Sequence, residues 1–218
     1  MVNESNEDQN KGHPNGKVRR RILQYASDKF AVSGYSNVSI AQFASELKMS
    51  KSTFYKYYQS KEELLYAVIE TFYSDFEEEI AAIASDSAMN TGDKIQAFAM
   101  AVRRRFENVR VSSVEDLQRS APEAYEVLER RRKRIITGNL IRLFEQGASS
   151  GYIRKDVSPM LMANLLLQAL QYLEHPGFIA GTNFTFSEMF KQVFSILMEG
   201  SLTETGRGEF REAEEERT

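Results

Sequence analysis

Between Lys17 and Gly200 the sequence keeps returning to one local pattern, which leaves helices packed on helices as the available architecture. A Ser, Thr or Pro start signal precedes apolar residues at three- and four-residue intervals, and several of these runs end at a glycine or proline stop. Val18, Ile22, Tyr25, Ala26 and Phe30 hold that period up to Gly34. Ser39 with Gln42 is a capping-box pattern, in which the hydroxyl satisfies an exposed amide while Gln reaches back, and it predicts a helix over 40–47. Ser50 opens a short helix over 51–57. Ser60 with Glu63 opens a long one to about Ala84, its stripe being Leu64, Leu65, Val68, Phe72, Phe76, Ile80 and Ile83. Thr91 reads as the cap of a helix that turns Ile95, Phe98, Val102, Phe106 and Val109 inward, and Ser113 with Asp116 marks a short helix. Pro122 suits a first helical position, and Gly151 closes the helix it starts. Ser158-Pro159 begins another, ended by His175-Pro176-Gly177, and Thr185 with Glu188 opens a last one ending at Gly200. No segment alternates as a half-buried strand does. The prediction is an all-α chain of about nine helices.

Charge divides this chain unevenly. Residues 11–61 hold ten basic residues and two acids, so this window carries +8 and the remainder −11 within a net charge of −3. A basic module on an acidic body is the footprint of a protein that meets a polyanion with one end. The expected organisation is a disordered arm over 1–15, a DNA-binding domain over 16–75, a helical body over 76–200 and a disordered charged tail over 201–218. Residues 1–16 lack the apolar core of a secretory signal, and the most apolar stretch, 161–173, is broken by Asn164, Gln168 and Gln171. A soluble, cytoplasmic protein is expected. With no cysteine, disulfides and thiolate metal sites are ruled out.

Residues 39–55, inside a motif of about 38–57, follow helix-turn-helix logic. Ile40, Phe43, Ala44 and Leu47 make the inner stripe of the first helix, and Ala44 is small where the second helix crosses. Met49 plugs the turn and Phe54 anchors the second helix from beneath. Lys51, Ser52, Thr53, Tyr55, Lys56 and Tyr57 are then left for a major groove, whose width accepts one helix. A solvated helix pair in an ordinary bundle would show the same spacing.

Over about residues 17–70 the sequence resembles the TetR family of regulators, through Gly34-Tyr35, Ser39, Phe43-Ala44, Met49-Ser50-Lys51, Phe54-Tyr55, Tyr57-Tyr58 and Ser60-Lys61-Glu62-Glu63-Leu64. The resemblance implies that Ser39 and Lys61 hold phosphates and that Lys51, Thr53, Tyr55 and Tyr57 touch bases or backbone. Lys17 and Arg20 or Arg21 are positioned for further phosphates. Lys48 stands where the family usually has Gly, which predicts a non-glycine residue in the left-handed region, and Ser52 replaces a common Gly at the start of the recognition helix. The resemblance also implies a homodimer joined by the last two long helices and an effector pocket in the body. Leu161, Leu165, Leu166, Leu170, Met189, Val193, Phe194 and Leu197 are the interface candidates, because residues 161–173 are apolar on nearly every side and need partners on two faces. Candidate pocket residues are Phe72, Phe76, Phe98 and Phe106 with the amides Asn139, Asn164, Gln168 and Gln171, since a buried amide needs a partner that a ligand supplies.

The basic runs 103–105 and 130–134 point all round a helix and have Glu123, Glu126 and Glu129 within reach, so they read as solvated faces. One of these arginines could instead turn inward as counter-ion to an anionic effector. His175 at a helix end and His13 in the arm have no metal-ligand spacing around them, and nucleophilic or general-base apparatus is missing, so neither metal nor cofactor is expected. The reading is a dimeric operator-binding regulator released by a small, largely apolar effector. A helical interaction protein that kept the fold, or a small helical enzyme, are the rivals.

Overall fold

The computed structural model describes residues 14–173 and 185–215. Among these residues eleven α-helical segments follow one another: α1 (Pro14–Ser33), α2 (Ile40–Glu46), α3 (Lys51–Tyr55), α4 (Lys61–Ser85), α5 (Thr91–Phe106), α6 (Val111–Ser120), α7 (Pro122–Ile135), α8 (Ile141–Ser150), α9 (Pro159–Leu173), α10 (Phe186–Ser201) and α11 (Glu204–Glu215). A π-helical turn, Ile136–Leu140, joins α7 to α8 without a break, so those two form one long rod. Among the described residues there is no strand, only two isolated bridges, Arg110 with Thr185 and Ile153 with Leu202.

Most starts lie where the caps predict. Ser39, Ser50, Ser60 and Thr185 each accept an amide from three residues on, and Gly151 closes α8 in the left-handed region. Two caps differ. Asn90, not Thr91, caps α5, its side chain accepting from Asp93 N at 2.9 Å. Ser113 caps nothing, because α6 begins earlier at Val111 and both Ser113 and Asp116 are buried within it. The predicted stop at His175-Pro176-Gly177 lies outside the described residues, as does residue His13.

The tail is the largest correction to the expected organisation. Residues 204–215 form α11, which packs on α5. Thr203 Oγ1 accepts from Gly206 N at 3.1 Å to start it, Gly206 lies so close to the Tyr152 carbonyl that no side chain fits there, and Phe210 is buried. One large apolar residue among charges carries no readable period, which is why composition alone suggested disorder.

α1 to α3 form a head seated on the first half of α4, and α5 to α11 with the rest of α4 form the body. An aromatic cluster occupies the body next to the head: Phe106 lies 5.1 Å from Phe72, 5.7 Å from Phe76 and 4.7 Å from Phe186, ring centre to ring centre. No helix among the described residues is long and apolar enough to cross a membrane.

Candidate DNA interface and interior cavity

The head is built around two parallel rings. Phe43 on α2 and Phe54 on α3 are fully buried and stack 6.2 Å apart with 6° between their planes. Leu47 closes α2, and Lys48 then takes φ 54°, the left-handed conformation expected where a glycine is missing. Met49 N donates to Ala44 O at 2.9 Å across the turn. Ser50 sets the pitch of α3: its hydroxyl oxygen accepts from Thr53 N at 3.0 Å and lies within 2.9 Å of the Ser52 and Thr53 hydroxyls. With Phe54 pinned inward, the helical period turns Lys51, Ser52, Tyr55 and Lys56 to the surface, Tyr55 being 48 % exposed, while Thr53 is half-buried.

Not every predicted contact residue stands in the open. Tyr57 is half-buried against the core. Arg21 is exposed on α1 but donates to the Leu47 carbonyl at 3.2 Å, bracing the end of α2. Lys61 is half-buried with its ammonium 4.1 Å from the Tyr35 ring centre; burial lowers its pKa, and the nearby Asp116 charge acts in the opposite sense. Lys17 and Arg20 are exposed on α1. Ser39 spends its backbone amide on Gln42 and its oxygen on the Gln42 amide, keeping its own O–H as a donor.

Two bonded contacts tie the head to α6. Ser36 donates to Asp116 through its backbone N at 2.7 Å and its hydroxyl at 2.5 Å, and Arg110 N donates to Ala31 O at 3.0 Å. Gly34, in the left-handed region at φ 83°, lies against the Asp116 carboxylate where a Cβ would collide. Burial raises the Asp116 pKa, but hydrogen bonds from Ser36, Ser120 and Arg119 outweigh it and hold the carboxyl below the ordinary carboxylate range.

Beside these tethers lies a cavity of about 100 Å³, walled by α1, α4, α5, α6, α7 and the start of α10. Phe72 and Phe106 line it, with Ser113 and Arg132 among its few polar groups. A second void of about 30 Å³ adjoins it, lined by Phe76, Phe98 and Phe106, and the two share Tyr73, Phe106, Arg132 and Phe186 as a common wall. The four predicted phenylalanines thus come together. The four amides do not: Asn164 and Gln168 are exposed, Asn139 accepts from Arg142, and Gln171 donates to Glu129. None lines the cavity, and each has a partner elsewhere: Asn164 donates to the Met160 carbonyl and Gln168 to Gln171. Their place is taken by Ser113, which has the spacing of a cap, and by Arg132; of its neighbours only Arg130 pairs with Glu126 as a solvated face would, while Arg131 and Arg134 reach across to Glu77 on α4.

The predicted interface residues divide in the same way. Leu161 and Leu165 are exposed and Val193 and Leu197 half-buried, but Leu166, Leu170, Met189 and Phe194 are buried within the chain itself. Tyr172 and Ile196, absent from the prediction, join the outward face.

An all-α protein that presents a short, core-anchored helix on a basic head, above a helical body, is built as a DNA-binding regulator. Residues 22–68 match the family model of bacterial regulatory proteins, tetR family, so the matched segment, from α1 into α4, is that of a TetR-type DNA-binding head. It is 22 % identical over 174 residues to the HTH-type transcriptional repressor DhaR of Mycobacterium sp. (strain GP1), covering 71 % of this chain and 79 % of that one. It is 22 % identical to the uncharacterized HTH-type transcriptional regulator YdgC of Bacillus subtilis (strain 168), over 84 % of this chain and 92 % of the relative. Its fold is similar to a putative transcriptional regulator from Saccharomonospora viridis, solved in complex with choline, at TM-score 0.64 and 19 % identity, covering 86 % of this chain and 98 % of that one.

Proposed function

We propose that this regulator is a repressor that binds a palindromic operator as a homodimer and is released when a small, largely apolar effector fills the body cavity. Lys51, Ser52, Thr53, Tyr55 and Lys56 read the major groove, while Lys17, Arg20, Ser39 and Lys61 hold phosphates. Arg21 and Tyr57 serve the head's own packing first. The observation that carries the reading is the rotation of α3: Phe54 is fully buried beneath it and Tyr55 stands out beside it, which aims one polar face outward on a basic head.

Dimerisation is assigned to the exposed face of α9 and α10. Leu161 is 56 % exposed, Leu165 52 %, Tyr172 62 % and Ile196 75 %, and large apolar groups left out in this number on two adjacent helices mark a surface that another protein covers. Paired in this way, two heads address half-sites roughly one helical turn, about 34 Å, apart. A regulator of this kind works beside the DNA, in the cytoplasm, and binds rather than catalyses. The test is retardation of a duplex recovered from a random library: the wild type retards it with dyad-symmetric protection and Tyr55→Ala needs a higher protein concentration to do so, whereas equal retardation by both removes α3 from the interface.

A further inference from the structure

We infer that the head–body cavity takes a compact, uncharged hydrocarbon ring or short branched chain bearing one hydrogen-bond-accepting oxygen, and that this ligand touches the DNA-binding head itself. The inference rests on the reading of the chain as an effector-released regulator and adds the effector's chemical class and position.

Size comes first. A cavity of about 150 Å³ lined by Leu, Ile and Phe binds benzene, so about 100 Å³ admits a single ring only with a small movement of its walls. The neighbouring 30 Å³ void, separated by the Phe106 and Phe186 rings, is where that movement has room.

Charge comes second. No Asp or Glu among the described residues lines the cavity, so a cation would be buried there without a counter-charge from them. The buried guanidinium of Arg132 is there, but Glu129, outside the lining, already balances it at 3.1 Å. A formal anion would therefore leave an uncompensated negative charge against an apolar lining. That argues against the anionic effector which an inward-turned arginine suggests by itself.

Polarity comes third. Ser113 is more than nine-tenths buried, lines the cavity, and its hydroxyl has no hydrogen-bond partner among the described residues. A buried hydroxyl left unmatched is unfavourable, and a ligand carbonyl oxygen accepts its proton.

Position comes last. Ser27, Phe30, Ala31 and Tyr35, all from the head, close one side of the cavity, while Ser113 lies on α6 between Arg110 and Asp116, whose bonds hold that same part of the head. A ligand here pushes directly on α1 and α6.

The experiment compares four similar probes, cyclohexanone, methylcyclohexane, cyclohexylammonium and cyclopentanecarboxylate, by thermal shift and by competition with operator. Cyclohexanone is expected to bind about fivefold more tightly than methylcyclohexane, the worth of one hydrogen bond, and the two ions more weakly than either. Ser113→Ala erases the ketone's advantage while leaving methylcyclohexane unchanged. Ala31→Leu, which narrows the cavity from the head side, weakens both. A charged probe binding tightest, a ketone advantage that survives Ser113→Ala, or full binding by Ala31→Leu each overturns the inference. Failure to select any operator from a random library would instead sink the regulator reading, and the melting series still decides the cavity.

Discussion

Phe54 and Tyr55 are adjacent in the sequence and face opposite ways in the head, so substituting each separates folding from DNA binding. Phe54→Ala is expected to cost about 3 kcal/mol, read as a lowered denaturation midpoint. Tyr55→Ala is expected to keep the wild-type midpoint and lose about tenfold in operator affinity. Were the two effects exchanged, α3 would be rotated from the orientation described. Lys48 supplies a third test: it carries φ 54°, so Lys48→Gly relieves left-handed strain and raises stability by about 1 kcal/mol in the same denaturation assay. These positions were legible in the sequence because their neighbours lie within a turn or two, where helical period and cap chemistry decide the outcome. Lys61 was not. Its ammonium sits over Tyr35, a partner twenty-six positions upstream that only the packing of α1 against α4 brings near.

At the scale of elements, α6 shows where local reasoning gives out. Ser113 and Asp116 have the spacing of a cap, but the helix starts two residues before Ser113, and both side chains are used in tertiary structure instead. Asp116 reaches eighty residues back to Ser36, and no local rule anticipates such a partner. Its carboxyl titrates lower in the fold than in the unfolded chain. The stability it adds is therefore complete above the ordinary carboxylate range and is lost as pH falls through the depressed folded value. Acidification below about pH 4 should thus lower the melting temperature of the wild type more steeply than that of Asp116→Asn. Parallel pH profiles would remove Asp116 from the titrating set. α11 was illegible for a different reason: its anchors are a single ring, Phe210, and a glycine, Gly206, that matters for what it lacks.

For the whole molecule, sequence indicated that α9 and α10 carry more apolar surface than one subunit covers, but not which faces are outermost. α9 is apolar on nearly all sides, so its pattern has no preferred direction, and tertiary contacts alone put Leu166 inside and Leu165 outside. Leu165→Lys and Ile196→Lys should yield folded monomers in sedimentation, with operator affinity falling because one head loses the effective concentration of the other. Leu166→Lys and Phe194→Lys should fail to fold, since each buries an unpaired charge. A Leu165→Lys dimer as tight as wild type would place the interface elsewhere. Lys51→Ala should flatten the log–log dependence of operator affinity on salt by about one. The paired tethers from Arg110 and Asp116 to the head also have a genetic consequence. A selection for alleles blind to inducer should return changes clustered in codons 31–36 and 110–116. A selection for altered operator preference should return changes in codons 51–56, so that two phenotypes of one gene map to separate, non-overlapping intervals.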